Sequence, residues 1–184
     1  MKYEVEQKHP VPGFAAVKAK LAALGAMIGP PQEELDLYFA HPVRSFAETD
    51  EALRIRRKGS KTLITYKGPK IDKTTKTRRE LELPLGEQSE TPEQWRELLE
   101  VLGFRAVAEV RKDRRKTNVA WQGETVTLTL DDVHGVGTFV ELEIETDEQG
   151  VDRAKSHLAS LASELGLTCS ERRSYLELLL EQQQ

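Results

Sequence analysis

A single cysteine, Cys169, is present, which excludes an intrachain disulfide framework and a cysteine-rich zinc site. The four histidines, His9, His41, His134 and His157, are scattered without metal-ligand spacing, so no zinc is expected. Neither sign of charge is in large excess: charged residues make up 32% of the chain, yet the formal net charge is −4. That balance argues against a broadly basic nucleic-acid binder. No apolar run reaches membrane-spanning length, and the first residues lack a signal peptide's hydrophobic segment, so a cytoplasmic protein with no membrane partner is expected. At 184 residues the chain is long enough for one domain with a real core, over 1–181, followed by a frayed tail at 182–184.

What is present is strand-like alternation punctuated by helices. Phe14, Val17, Leu21 and Leu24 fall at helical spacing and stop at Gly25. A second helix opens on Thr91-Pro92-Glu93-Gln94, a capping box with proline at the first helical position, and runs through Trp95, Leu98, Leu99 and Leu102. A third carries Ala154, Leu158, Leu161 and Leu165 before Gly166, and a short fourth follows Ser174. Between them, residues 34–40, 51–58, 61–67, 77–85, 105–118, 124–131 and 138–145 alternate with period two. With residues 3–9 this gives about eight strands, the number at which an antiparallel sheet can close. The fold class expected is therefore α+β: a closed eight-stranded antiparallel β-barrel, a tunnel, with helices packed on the outside.

Each strand offers one apolar face to those helices, and the other face is densely charged. Glu4, Glu6 and Lys8 share a face, as do Arg54, Arg56 and Lys58, and Arg78, Glu80 and Glu82. Thr127, Thr129 and Asp131 oppose leucines, and so do Glu141, Glu143 and Glu145. Closing the sheet turns these side chains inward. Such a tunnel cannot be dry, because unpaired buried charges are too costly. Carboxylates two apart on a strand offer oxygen donors to a hard cation such as Mg²⁺ or Mn²⁺. Arginines two apart can grip phosphate oxygens through paired donors. The combination suits a metal-bridged polyphosphate. Arg57, Lys58, Arg111 and Arg115 are read as surface residues and left out of the site, and Asp36 as a partner that fixes a basic residue of the wall. Gly135 and Gly137 are read as a tight turn, and Trp121 as a residue at a turn.

Sorted this way, the chain resembles the CYTH superfamily, the triphosphate tunnel metalloenzymes. The signature E-x-E-x-K stands here as Glu4-Val5-Glu6-Gln7-Lys8, and "LDLYFAHP", "TDEALRIRR", "TYKGP", "RRELEL", "LDDVHGVGTFVELEIE" and "RRSYLELL" follow in the family's order. The long "YFAHPVRSFAETDEALRIRR" and "GVGTFVELE" segments look most like the class IV adenylyl cyclase branch. The resemblance implies a tunnel binding a triphosphate and Mg²⁺ or Mn²⁺. By position, Glu4, Glu6, Glu141 and Glu143 would hold metal, with Glu80, Glu82 and Asp131 as nearby candidates. Lys8, Arg54, Arg56, Lys67 and Arg114 would bind phosphates, joined by Arg78 and Lys112. Tyr38 and Lys67 fall near residues implicated in activating water in thiamine-triphosphatase relatives.

Three functions share this chemistry. One is an adenylyl cyclase forming cyclic AMP and pyrophosphate from ATP. Another is a triphosphatase acting on inorganic triphosphate, thiamine triphosphate or a nucleotide, and the last is a polyphosphate sensor without turnover. The partner in each case is a small-molecule triphosphate and not a nucleic acid. The leucines of "YLELLLE" either finish the core or form a homodimer surface.

Overall fold

The alternation becomes one eight-stranded antiparallel sheet in a computed structural model that describes residues 3–70, 77–85 and 92–183. The strands are β1 (Tyr3–Val11), β2 (Gln32–Ala40), β3 (Ala52–Lys58), β4 (Lys61–Lys67), β5 (Glu80–Pro84), β6 (Arg105–Trp121), β7 (Glu124–Val133) and β8 (Gly137–Thr146). The helices are α1 (Ala15–Ala23), α2 (Phe46–Thr49), α3 (Pro92–Val101), α4 (Val151–Leu165) and α5 (Tyr175–Gln182). The strand order is β1-β8-β7-β6-β2-β3-β4-β5, so the first and fifth strands in sequence form the two edges. The 17-residue β6 links the halves: Arg105 to Arg114 pair with β2, and Lys112 to Trp121 pair with β7.

The sheet curls, and among the described residues no ladder closes it, so of the expected barrel the structure shows a curled eight-stranded antiparallel sheet with helices. Among the described residues the edges meet at one isolated bridge, Glu4↔Arg78. β5 is only five residues long and pairs with β4 on its other side. The curl itself is plain from side chains, since Lys67 on β4 lies 3.9 Å from Glu4 on β1 at the opposite edge.

The outward face of β1, β7 and β8 carries Val5, Leu128, Leu130, Leu142 and Ile144, which pack on Val17 and Leu21 of α1 and on Ala154, Leu158, Leu161 and Leu165 of α4. Each fully buried leucine there contributes roughly 1.5–3 kcal/mol by leaving water. A second cluster joins Phe39, Leu53 and Ile55 to Phe46 of α2 and Leu99 of α3. Trp95 packs at its margin. α5 differs, because its Tyr175 and Leu178 meet Tyr38, Val110, Val133 and Phe139. Val110 shares parity with Lys112 and Phe139 with Glu141, so α5 sits on the charged, inner side of the sheet at one end. A capping box starts it: Ser174 Oγ accepts from Glu177 N at 3.1 Å, and Glu177 accepts from the Ser174 amide.

Strand and helix positions follow the alternation, with shifts at the ends. β5 is shorter than 77–85, and β6 continues to Trp121 at a turn where Gln122 and Gly123 have φ of 50° and 84°. Gly135 and Gly137, with φ of 71° and 132°, form the turn before β8. α5 includes Gln182, so the expected tail begins later than 182. The four-residue α2 was not among the expected helices although Ser45-Phe46-Ala47-Glu48 carries a Ser-x-x-Glu start signal, and Thr91 of the expected capping box lies outside the described residues.

Candidate active site

Curling gathers the charged face of all eight strands around one cavity of about 270 Å³. Fourteen of the fifteen side chains expected at the site line it: Glu4, Glu6, Lys8, Tyr38, Arg54, Arg56, Lys67, Arg78, Glu80, Glu82, Lys112, Arg114, Glu141 and Glu143. The two signs are not mixed evenly. Apart from Glu34 of β2, the acids come from β1, β8 and β5, the strands at or beside the edges, while most of the bases come from β3 and β6 in the middle of the sheet. Curling therefore makes an acidic seam where the edges approach and a basic wall across from it.

At the seam, Glu4 is registered against Glu145, Glu6 against Glu143 and Lys8 against Glu141. Oxygen atoms of Glu4, Glu143 and Glu145 lie within 4.8 Å of one another. Burial, a hydrogen bond with Glu80 and the neighbouring carboxylates push the Glu4 carboxyl up to about 9, against the pull of Lys67. Burial and then the Glu6 charge push Glu143 up to about 7. Burial alone would raise Glu80 too, but Lys67, which forms an ion pair with it, the Glu4 hydrogen bond and Arg54 hold it down at about 2. Carboxyls crowded until they retain protons are a donor set short of positive charge. Three convergent hard oxygen donors fit a divalent cation such as Mg²⁺ or Mn²⁺. Glu82 is exposed and accepts from Thr65 Oγ1 at 3.1 Å, away from that trio.

The basic wall is built on two buried acids of β2. Asp36 accepts from Arg56 Nε at 2.6 Å and Nη2 at 2.8 Å, from Lys112 Nζ at 2.8 Å and from Arg54 Nη1 at 3.4 Å. Glu34 pairs with Lys112 at 3.1 Å, Lys58 at 3.2 Å, Arg56 at 3.5 Å and Arg114 at 3.9 Å. Burial would raise both carboxyls. The surrounding cations reverse that, holding Glu34 at about 2 and Asp36 well below the usual carboxylate range. Lys112 is lowered too, but chiefly by burial, which disfavours its charge. Arg114 reaches further round, donating to Glu141 at 2.6 Å and, through Nε, to Asp131 at 2.7 Å.

Asp131 is the one expected site residue that does not line the cavity. It is fully buried behind Arg114 and accepts from the Tyr175 hydroxyl at 2.8 Å, which makes it an anchor rather than a neighbour of the three oxygen donors. Lys8 is buried with its ammonium 4.1 Å from the Tyr175 ring centroid and donates to the Arg173 carbonyl, so it ties β1 to the segment leading into α5. Tyr38 is buried, and its hydroxyl lies 3.4 Å from Arg54 Nη1. It therefore belongs to the wall, while Lys67 belongs to the seam.

Sequence reasoning missed several lining residues. Lys58, read as a surface residue, lines the cavity against Glu34, and its parity with Arg54 and Arg56 was the available signal. Glu145 shares parity with Glu141 and Glu143, but only the register with Glu4 shows that it joins the oxygen trio. Glu34 carries the same parity as Asp36 and Tyr38. Lys116 and Tyr175 also line the cavity, and nothing in the local pattern marked Tyr175.

Comparison with known proteins adds to this geometry. The family described as "CYTH domain" matches residues 2–175. The "Putative adenylate cyclase MJ0240" of Methanocaldococcus jannaschii is 36% identical over 178 residues, covering 95% of this chain and 97% of that protein. Adenylate cyclase CyaB of Aeromonas hydrophila is 30% identical over 181 residues, covering 95% of this chain and 87% of that one. The solved structure of the PH1819 protein from Pyrococcus horikoshii OT3 superposes with a TM-score of 0.84 at 40% identity, over 97% of this chain and 98% of that one.

Proposed function

The chain belongs to the CYTH domain family, and from that premise we propose that it is a divalent-metal-dependent enzyme acting on a triphosphate, an adenylyl cyclase converting ATP to cyclic AMP and pyrophosphate. The observation that carries this reading is the segregated cavity: a seam short of positive charge facing a wall of anchored cations. A polyphosphate bound to a divalent cation has the complementary layout, with its metal on one side and free phosphate oxygens on the other.

Glu4, Glu143 and Glu145 would hold the cation, Mg²⁺ or Mn²⁺. When bound it would draw charge from phosphate oxygens and favour displacement at phosphorus. The chain's own work is placement and electrostatics. Arg54 and Arg56, fixed on Asp36, and Arg114, fixed on Asp131 and Glu141, present rigid guanidinium groups to the phosphates. Lys67, held beside Glu80, adds a point charge from the seam side. In the cyclase reaction the ribose 3′-oxygen bonds to the α-phosphorus as the bond to the bridging oxygen breaks, pyrophosphate leaves, and the hydroxyl proton passes to water.

The position of Lys67 also supports a second reading, hydrolysis. Its ammonium lies between Glu80 and Glu4, beside the carboxylates that would hold the metal, where it can orient water toward a terminal phosphorus. Product analysis separates the two. ATP and inorganic triphosphate are each incubated with Mg²⁺ or Mn²⁺. Cyclic AMP with pyrophosphate supports the cyclase, and orthophosphate without cyclic AMP supports the triphosphatase. Tight binding with no turnover of either compound would reduce the protein to a sensor.

A further inference from the structure

A second cavity, of about 530 Å³, adjoins the charged one and shares Tyr38, Ala52, Arg78 and Ser174 with it. It lies between the end of β2, α2 with the loop before it, the start of β6, and α5. Its lining is more apolar than its neighbour's, although Arg44, Arg78 and Arg105 also border it. Phe46, Val43, Val107, Leu176 and Leu180 line it, and Val43 and Val107 are 87% and 44% exposed despite being apolar. Its carboxylates are already engaged: Glu51 by Arg44 at 2.9 Å, Asp50 by Lys70 at 2.8 Å, and Glu177 by the amide of Ser174. His41 packs against Phe46 and Phe104 with ring centroids 5.4 and 5.2 Å apart, which fixes the loop that forms one side.

The two volumes divide a substrate naturally. A polyphosphate chain suits a small, charged cavity, whereas an apolar space in the size range of small-molecule sites suits an uncharged organic group. We propose that the second cavity receives the heterocycle and sugar of the substrate, so that the protein selects nucleoside triphosphates over inorganic triphosphate. The inference rests on reading the charged cavity as the triphosphate site. A triphosphate gripped by Arg54 and Arg56 passes Tyr38 and Ala52, which line both spaces, to place its organic end among Phe46, Val107 and Leu180.

The test is calorimetric binding to the full chain in Mg²⁺, comparing inorganic triphosphate with α,β-methylene-ATP, which cannot release pyrophosphate. The wild type is expected to bind the nucleotide analogue about tenfold more tightly, because its organic end buries apolar surface. Val107→Trp and, separately, Ala47→Trp fill the second cavity from different elements. Each should weaken the nucleotide analogue about tenfold while moving inorganic triphosphate by no more than about twofold. Retained binding of inorganic triphosphate also shows that a variant has folded, and the second variant decides if the first has not. Equal affinities for the two ligands, with no nucleotide-specific loss in either variant, overturn the inference and leave the triphosphate site standing. Failure of both ligands to bind the wild type removes the site and the inference together.

Discussion

On the basic wall, Asp36 alone engages Arg54, Arg56 and Lys112, and Glu34 adds contacts to Lys58 and Arg114. At the acidic seam, one ammonium, Lys67, faces Glu4 and Glu80 while Glu143 and Glu145 crowd Glu4. Both regions bury charge in the same curled sheet, yet Glu34 of the wall is held at about 2 and Glu143 of the seam is pushed up to about 7, while Glu80, the seam carboxyl paired with Lys67, stays at about 2. The wall is completed by the protein's own groups. On the proposed reading, the seam would be completed by a bound cation. Burial penalises charge in both places, and the number of counter-charges within reach decides which way each carboxyl moves.

The largest effect on stability should come from the wall. Asp36→Ala leaves three buried cations without their shared carboxylate and should cost about 3–5 kcal/mol, read by urea denaturation. A cost near zero would mean that the wall does not depend on that acid. At the seam, Glu4→Gln and Glu143→Gln should cut metal-dependent turnover by roughly a hundredfold or more, because a metal ligand matters at least as much as the outer partners that orient it. Both variants should unfold at or above the wild-type midpoint without metal, since each removes a carboxyl that burial disfavours. Unchanged turnover in both would take the two residues out of the site.

The pH response sharpens the contrast. Glu143 has a folded-state value raised from 4.5 to about 7, so its contribution is present below about 4.5 and is lost as pH rises through about 7 in metal-free protein. Glu34 is lowered from 4.5 to about 2, so its contribution is present above about 4.5 and is lost as pH falls toward 2. Glutamine resembles a protonated carboxyl, so the thermal midpoints of Glu143→Gln and Glu34→Gln should approach wild type at low pH and diverge from it in opposite directions as pH rises, Glu143→Gln above wild type and Glu34→Gln below it. Divergence in the same direction would show that seam and wall are electrostatically alike. The smallest effect belongs to Lys58→Ala at the rim, where the ammonium is a third exposed. A change of about 0–1 kcal/mol in stability is expected there, with a few-fold loss of triphosphate affinity.

Much of this contrast was legible in the sequence, because parity along a strand fixes which side chains share a face. "ELDLY" and "EALRIRRK" already put Glu34, Asp36 and Tyr38 on one face and Arg54, Arg56 and Lys58 on another. Parity cannot say which strands become neighbours. The Glu4↔Glu145 register is a pairing of residues from opposite ends of the chain, and the order β6-β2-β3 sets β2's acids beneath the bases of both flanking strands. Asp131 was misplaced for the same reason: its parity is right, but Arg114 and Tyr175 reach it first. Closure was expected from a strand count, and among the described residues the two edges meet at one bridge.

The most direct test of the two-sided cavity is the affinity of inorganic triphosphate measured across a Mg²⁺ titration, in wild type and in the Glu4→Gln, Glu143→Gln double variant. Wild-type affinity should climb steeply with Mg²⁺, while the double variant keeps a weak, Mg²⁺-independent affinity supplied by the wall. Identical Mg²⁺ dependence in the two proteins would contradict the account.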